Sequence, residues 1–123
     1  MSEKIAEKII EKNGDYFLTL KGNQGNLEDD VKAIFNHRDD PRYQFSMHEE
    51  HDKGHGRIET RCCWSIEVPA WLKKLHPNWV SWYGIGLVKS TRQIHEKIET
   101  EERFYISSLA ADAKKYLLYS FGK

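Results

Sequence analysis

Long apolar runs and an excess of one charge sign are both missing from this chain of 123 residues. The longest apolar stretches are far shorter than the roughly 20 residues needed to cross a bilayer. The charged start, MSEKIAEKII, also lacks the apolar core of a signal peptide. Nineteen lysines and arginines match nineteen aspartates and glutamates, so a nucleic-acid interface would need a local basic surface. We expect no membrane segment and a cytoplasmic location.

Cysteine is scarce, and the two cysteines, Cys62 and Cys63, are adjacent. Neighbouring side chains on a strand point to opposite faces, so we expect both thiols to be reduced and unbridged. Neither thiol has an evident activating base, and no Ser-His-Asp or Cys-His set can be built. The residues therefore indicate no catalytic group.

Apolar spacing predicts one domain of the α+β class, with helices at the start and end and antiparallel strands between them. The predicted helices are 3–12, a segment starting near Asn26, and 110–119, with one helical turn within the irregular segment 69–79. The predicted strands are 15–20, 43–51, 56–67, 82–91 and 102–108. The nearly continuous apolar strand 15–20 is typical of a strand buried on both faces.

Each predicted helix has an apolar face that we expect to lie inward. These faces comprise Ile5, Ala6, Ile9 and Ile10 in the first helix, Leu27, Val31, Ile34 and Phe35 in the second, and Ala113, Tyr116 and Leu117 in the last. We expect Trp64, Trp71, Trp79 and Trp82 to lie mainly in the core.

Strict alternation in 56–67 separates two faces of one strand. One face carries Ile58, Thr60, Cys62, Trp64 and Ile66. The other carries Arg57, Glu59, Arg61, Cys63 and Ser65.

Four stretches of the chain resemble, in order, the H-repeat-associated family of bacterial DDE insertion-sequence transposases, which are linked to Rhs elements. The stretches are IAEKIIEKNGDYFLTLKGNQG (5–25), KGHGRIETR (53–61), LVKSTRQI (87–94) and ERFYISSLAADAK (102–114). The resemblance implies a ribonuclease H-like core in which two aspartates and a glutamate hold two Mg²⁺ ions for phosphodiester chemistry.

The same resemblance places none of the three carboxylates within this chain. It therefore implies a truncated, catalytically inactive member with no cofactor of its own. In the implied division, 1–36 is a helix-strand-helix remnant of the core, 37–109 a β-rich insertion of about four strands, and 110–123 a C-terminal helix.

Two interpretations of the polar residues stay open. They could contact DNA phosphates, or they could form a solvated ion-pair ladder and an ordinary strand-to-helix turn. The candidate DNA-binding residues are Lys21, Asn23, Gln24, His55, Arg57, Glu59, Arg61, Lys89, Arg92 and Arg103. The histidines of HEEHDKGH (48–55) lack convergent spacing, so no metal site is predicted.

Three roles are compatible with these features. The chain could be an inactive transposase remnant, a DNA-binding module, or a protein that modulates a full-length transposase by association. Strand 15–20 needs neighbours on its edges. We expect it either to join the antiparallel strands or to pair in a homodimer around Phe17, Leu18 and the last helix.

Overall fold

The computed structural model describes residues 2–21 and 26–121. Its four helices are α1 (Ser2–Glu11), α2 (Asn26–Asn36), α3 (Ala70–Leu75) and α4 (Ala113–Phe121). Its five strands are β1 (Phe17–Thr19), β2 (Ser46–Gly54), β3 (Arg57–Glu67), β4 (Gly84–Ile94) and β5 (Lys97–Ser107). The predicted α+β class with an antiparallel sheet is confirmed.

All five strands form one sheet in the order β1-β5-β4-β3-β2, and every pair is antiparallel. Two long hairpins, β2–β3 and β4–β5, supply most of it. Their turns are His55-Gly56 and His95-Glu96. His55 and Gly56 both have positive φ, 53° and 77°, as the tight hairpin turn that matches strand twist requires.

The hairpins are longer than the sequence patterns predicted. The second strand runs to Gly54 rather than His51, and β5 begins at Lys97 rather than Glu102. Polar side chains caused these errors, because the strand ends lie beyond the helices and have no apolar face to bury.

Strand alternation divides the core into two layers. On one face, Ile85, Leu87, Phe104 and Ile106 pack against helices α1 to α3. On the opposite face, called here the α4 face, α4 packs with Cys63, Val88 and Tyr105. The predicted separation of residues 57–66 into two faces is confirmed.

The helix faces agree with their predicted inner residues except at one position. The inner faces of α2 and α4 are buried as expected. In α1, Ala6 is buried and Ile9 and Ile10 are partly buried, but Ile5 is 53% exposed. Ile5 lies at the side of the stripe, beyond the reach of the sheet.

The last helix begins at Ala113, three residues later than predicted. The Asp112 side chain explains this start, because its Oδ1 accepts a hydrogen bond of 3.1 Å from the Lys115 N–H. A side chain that satisfies an otherwise unpaired N–H in this way marks a helix N-terminus.

Strand β1 is shorter than predicted and lies at the edge of the sheet. Phe17 and Leu18 are only partly buried, on opposite faces. The strand pairs with β5, with Phe17 opposite Ser107. It therefore joins the antiparallel strands, which was one of the two predicted ways to cover its edges. The homodimer stays a prediction.

The tryptophans follow the prediction in three of four cases. Trp79 and Trp82 are buried and Trp64 packs partly buried against the core. Trp71 is 45% exposed, because it lies on the outer side of the short helix α3.

Tyr116 packs directly on the backbone of β4. A Cβ on Gly86 would lie 2.8 Å from Tyr116 Cδ2, and a Cβ on Gly84 would overlap the Tyr116 hydroxyl. The hydroxyl donates a 2.9 Å hydrogen bond to the Leu109 carbonyl. The missing side chains of these two glycines therefore make room for α4.

Replacing Gly86 with alanine is expected to destabilise the fold by about 1–3 kcal/mol, because the added methyl group overpacks the contact with Tyr116. Chemical denaturation measures the change. Gly54→Ala is the matched control, since a Cβ on Gly54 meets nothing within 4 Å; we expect a change within about 0.5 kcal/mol. Equal losses in the two variants would contradict the packing role.

Burial between α4 and strand β4 raises the pKa of Tyr116 to about 12, against its usual 10.0. The stabilising contribution of the neutral phenol is complete below pH 10 and is lost as the pH rises through 12, because only the unfolded chain ionises freely. We expect Tyr116 to lower the free energy of unfolding by roughly 1 kcal/mol between pH 9 and pH 11. Chemical denaturation of the original chain and of Tyr116→Phe at both pH values measures this effect. The free energy of unfolding should fall less in Tyr116→Phe, by that amount, and an equal fall in the two proteins would refute this pKa.

Candidate nucleic-acid interface

The outer parts of β2–β5 extend beyond the helices and leave the α4 face of the sheet open. Residues near the two hairpin turns are mostly exposed on all four strands. Alternation and register together place basic and acidic side chains side by side on this open surface.

Glu59 is the centre of the densest charged group, the Glu59 cluster, which consists of Arg57, Glu59, Arg61 and Arg92. Arg57 Nε lies 3.3 Å from Glu59 Oε1. Arg61 Nη2 and Arg92 Nη2 lie 3.3 Å and 3.4 Å from Glu59 Oε2. The carboxylate is 9% exposed, whereas the arginine side chains are 28–49% exposed.

The charges in the Glu59 cluster are unequal. Three guanidinium groups share one carboxylate. In a simple ion-pair ladder each arginine would have a carboxylate of its own. The same strand face also carries Glu50 opposite Arg61, Asp52 opposite Glu59 and Glu99 opposite Arg92, so the cluster is basic at its centre and has acidic side chains around it.

A groove of about 410 Å³ lies beside the cluster, between the end of α4 and strands β3 to β5. The ring of Phe121 lies 4.7 Å from the Arg61 guanidinium carbon, a cation–π contact that orients this side chain. Charged groups of both signs line the groove: Arg61, Arg92, Arg103, Glu59, Glu99 and Glu101.

Arg103 shares the α4 face with the cluster but has its own partner. Its Nη2 lies 3.1 Å from Glu101 Oε2. This exposed pair is the one-to-one arrangement that the ladder interpretation predicted, and such pairs contribute little to stability.

Lys89 lies on a different face from the other basic candidates of the long strands. It was one of the candidates that could extend the face of Arg57 and Arg61, and the register puts it opposite Cys62 and Glu102, on the other side of the sheet. Where both faces of a strand end carry polar residues, the sequence does not show which face of the sheet a side chain occupies. Only the strand register decides this.

The remaining candidates are spread along the molecule. His55 is exposed in the β2–β3 turn. Lys21 is exposed after β1, where the Leu20 N–H still donates to the Phe104 carbonyl, so it lies toward the Arg103 end of β5. Asn23 and Gln24 lie outside the described residues.

Glu99, Glu101 and Phe121 line the groove but were not among the predicted site residues. The signal for the two glutamates was present, since 97–101 alternates as KIETE, but this stretch lay between the predicted strands 82–91 and 102–108. Phe121 was missed because the predicted last helix ended at residue 119, two residues before the observed end of α4.

The histidines near the first hairpin pair with glutamates. His48 Nε2 lies 2.9 Å from Glu50 Oε2, and His51 Nε2 lies 2.6 Å from Glu49 Oε2. The two pairs point to opposite faces. Over 2–21 and 26–121, no three His, Cys, Asp or Glu side chains are grouped so that they could hold a metal ion.

Both thiols are free. Burial raises the pKa of Cys63 to about 12, and burial together with Glu49 also raises the pKa of Cys62. A raised pKa disfavours the thiolate, so neither cysteine has the character of a nucleophile. No helix among the described residues has both the length and the apolar character needed to cross a membrane.

Several bacterial proteins are similar to this chain along most of its length. An uncharacterised protein from the dhlA 3′ region of Xanthobacter autotrophicus is 38% identical over 108 residues, 88% of this chain and 36% of that protein. "Putative transposase YncI" of Escherichia coli O157:H7 is 32% identical over 115 residues, 91% and 30% of the respective chains. The chain is thus related to proteins named transposases.

The particular family follows from a further relative. "H repeat-associated putative transposase YhhI" of Escherichia coli K12 is 32% identical over 116 residues, 91% of this chain and 31% of that protein. The chain belongs to the H-repeat-associated transposase family, which confirms the resemblance of the four sequence stretches. It spans about a third of the length of the curated relatives it matches. No family model and no solved structure match the chain.

Proposed function

We propose that these 123 residues form a β-rich, non-catalytic part of a DDE transposase. The observation that carries the proposal is the identity of 32% to 38% over about nine-tenths of the chain with relatives roughly three times as long. The family pattern puts its three metal-binding carboxylates, which would hold Mg²⁺, outside residues 1–123. A two-metal reaction needs all of these ligands together.

The same proposal assigns 1–36 to a remnant of a ribonuclease H-like core, 37–109 to a β-rich insertion and 110–123 to a C-terminal helix. Its support is the difference between the short edge strand β1 and the four long strands β2–β5. In this division, the insertion supplies the open surface that carries the Glu59 cluster.

The chain alone is expected not to cut DNA. Supercoiled plasmid incubated with the protein and Mg²⁺ or Mn²⁺ should stay supercoiled, because the proposal puts the carboxylates that would hold two metal ions outside residues 1–123. The full-length relative YhhI, purified in parallel, is the comparison protein. Nicking that needs the metal, stops with a chelator and follows this chain through purification would contradict the proposal.

A second function, contact with the DNA backbone, is favoured by the arginines on the α4 face. Arg57, Arg61, Arg92 and Arg103 all lie on this one face, and their side chains are 28–56% exposed. Arginine is suited to phosphate because its planar group offers two parallel donors. A contact of this kind would not depend on base sequence.

Replacing Arg57 and Arg61 together by glutamine is expected to weaken binding to duplex DNA by at least about tenfold at low salt. The slope of log affinity against log salt should fall by about 2, close to one for each phosphate that an arginine no longer neutralises. Fluorescence anisotropy over a series of salt concentrations measures both values.

The matched control is Lys73→Gln with Lys74→Gln, which removes the same charge from exposed positions on α3. This pair should leave the slope nearly unchanged, because α3 packs on the other side of the sheet. Equal effects of the two double variants would show that only net charge matters and would reject this surface.

A further inference from the structure

The Glu59 carboxylate draws together arginines that the strands hold far apart. Arg57 and Arg61 are four residues apart on β3, so their Cα atoms are separated by about 13 Å. Both side chains nevertheless reach the same carboxylate at 3.3 Å. Arg92 joins them from β4, where it lies directly opposite Glu59.

We propose that Glu59 is a positioning residue, which holds Arg57, Arg61 and Arg92 as a preformed site for neighbouring phosphates of a nucleic-acid backbone. This inference rests on the proposed DNA contact. Three guanidinium groups at close range repel one another, and the buried carboxylate between them offsets that repulsion. Holding the side chains in place before binding reduces the conformational entropy that is lost when phosphate arrives.

Each arginine keeps donors for a ligand while it contacts Glu59. One nitrogen of each guanidinium contacts the carboxylate, Nε in Arg57 and Nη2 in Arg61 and Arg92. An arginine has five N–H donors in a fixed plane. The remaining donors belong to side chains that are partly exposed, whereas the carboxylate beneath them is nearly covered.

Arg61 has a second support that points to the same role. Its guanidinium stacks on Phe121 at the edge of the groove, with 4.7 Å from its central carbon to the ring centre. A guanidinium fixed by a carboxylate and a ring has few orientations left, which suits recognition of a planar pair of phosphate oxygens.

The deciding experiment compares Glu59→Gln with Glu102→Gln in duplex DNA binding across a salt series. Each variant adds one unit of positive charge, and Glu102 is exposed opposite Lys89, on the other side of the sheet. We expect Glu59→Gln to weaken binding about five- to tenfold and to lower the salt slope by about 1 to 2, because the arginines are no longer aligned with the phosphates. Glu102→Gln should bind as well as the original chain or more tightly.

Net charge alone predicts that both variants bind more tightly, so a tighter Glu59→Gln variant overturns the positioning role and leaves the DNA contact standing. Absence of any salt-dependent binding by the unmodified chain overturns the DNA contact and this inference with it. Glu59→Asp keeps the charge but is too short to reach all three arginines; it should also weaken binding, and affinity equal to that of the unmodified chain overturns the role. Thermal melting identifies a variant that does not fold. If either Glu59→Gln or Glu59→Asp fails to fold, the other variant is used for the comparison.

Discussion

The register between β3 and β4 sets which of their side chains face α1 to α3 and which lie on the α4 face. Cys63 lies opposite Val88 in the layer under α4, and four residues away Glu59 lies opposite Arg92 on the open surface. Because strand side chains alternate with a period of two, a shift by one residue would exchange the two faces. It would turn Trp64 and Ile66 toward α4 and Cys63 and Ser65 toward α1 to α3. One set of backbone hydrogen bonds therefore positions both the core and the candidate site.

The helices cover only part of the long strands, and this unequal coverage creates the exposed surface. Near α4 the sheet face carries Gly84 and Gly86, so that Tyr116 can lie against it. Toward the turns the same face carries charged side chains that have no helix above them. At the outer edge, β2 carries histidines, glutamates and a lysine, residues that discourage pairing with another strand. The charges thus protect an extended β-surface from strand pairing and provide a place for an ionic ligand.

Much of the fold was predictable because burial produces a period in the residues. The inner faces of α2 and α4 and the two faces of 57–66 were predicted correctly, since packing against a core selects apolar residues at regular spacing. The connection between the predicted strands 43–51 and 56–67 was also located, although the turn itself is limited to His55-Gly56. Errors occurred where burial ends: the polar tips of the hairpins, the start of α4 at Asp112, and the exposed Ile5. Charged residues are compatible with strand or turn, so their sequence alone gave no boundary there.

Local residue patterns were enough to identify the family, the α+β class and the presence of Arg57, Glu59 and Arg61 on one face of a strand. Which other side chains join these three depends on how distant segments pack together. Arg92 enters the Glu59 cluster, Phe121 supports Arg61, and Lys89 is excluded to the opposite side. These outcomes depend on register and on the end of a helix distant in sequence. Pairing between strands is a long-range choice made by the whole core, and no short stretch of residues encodes it.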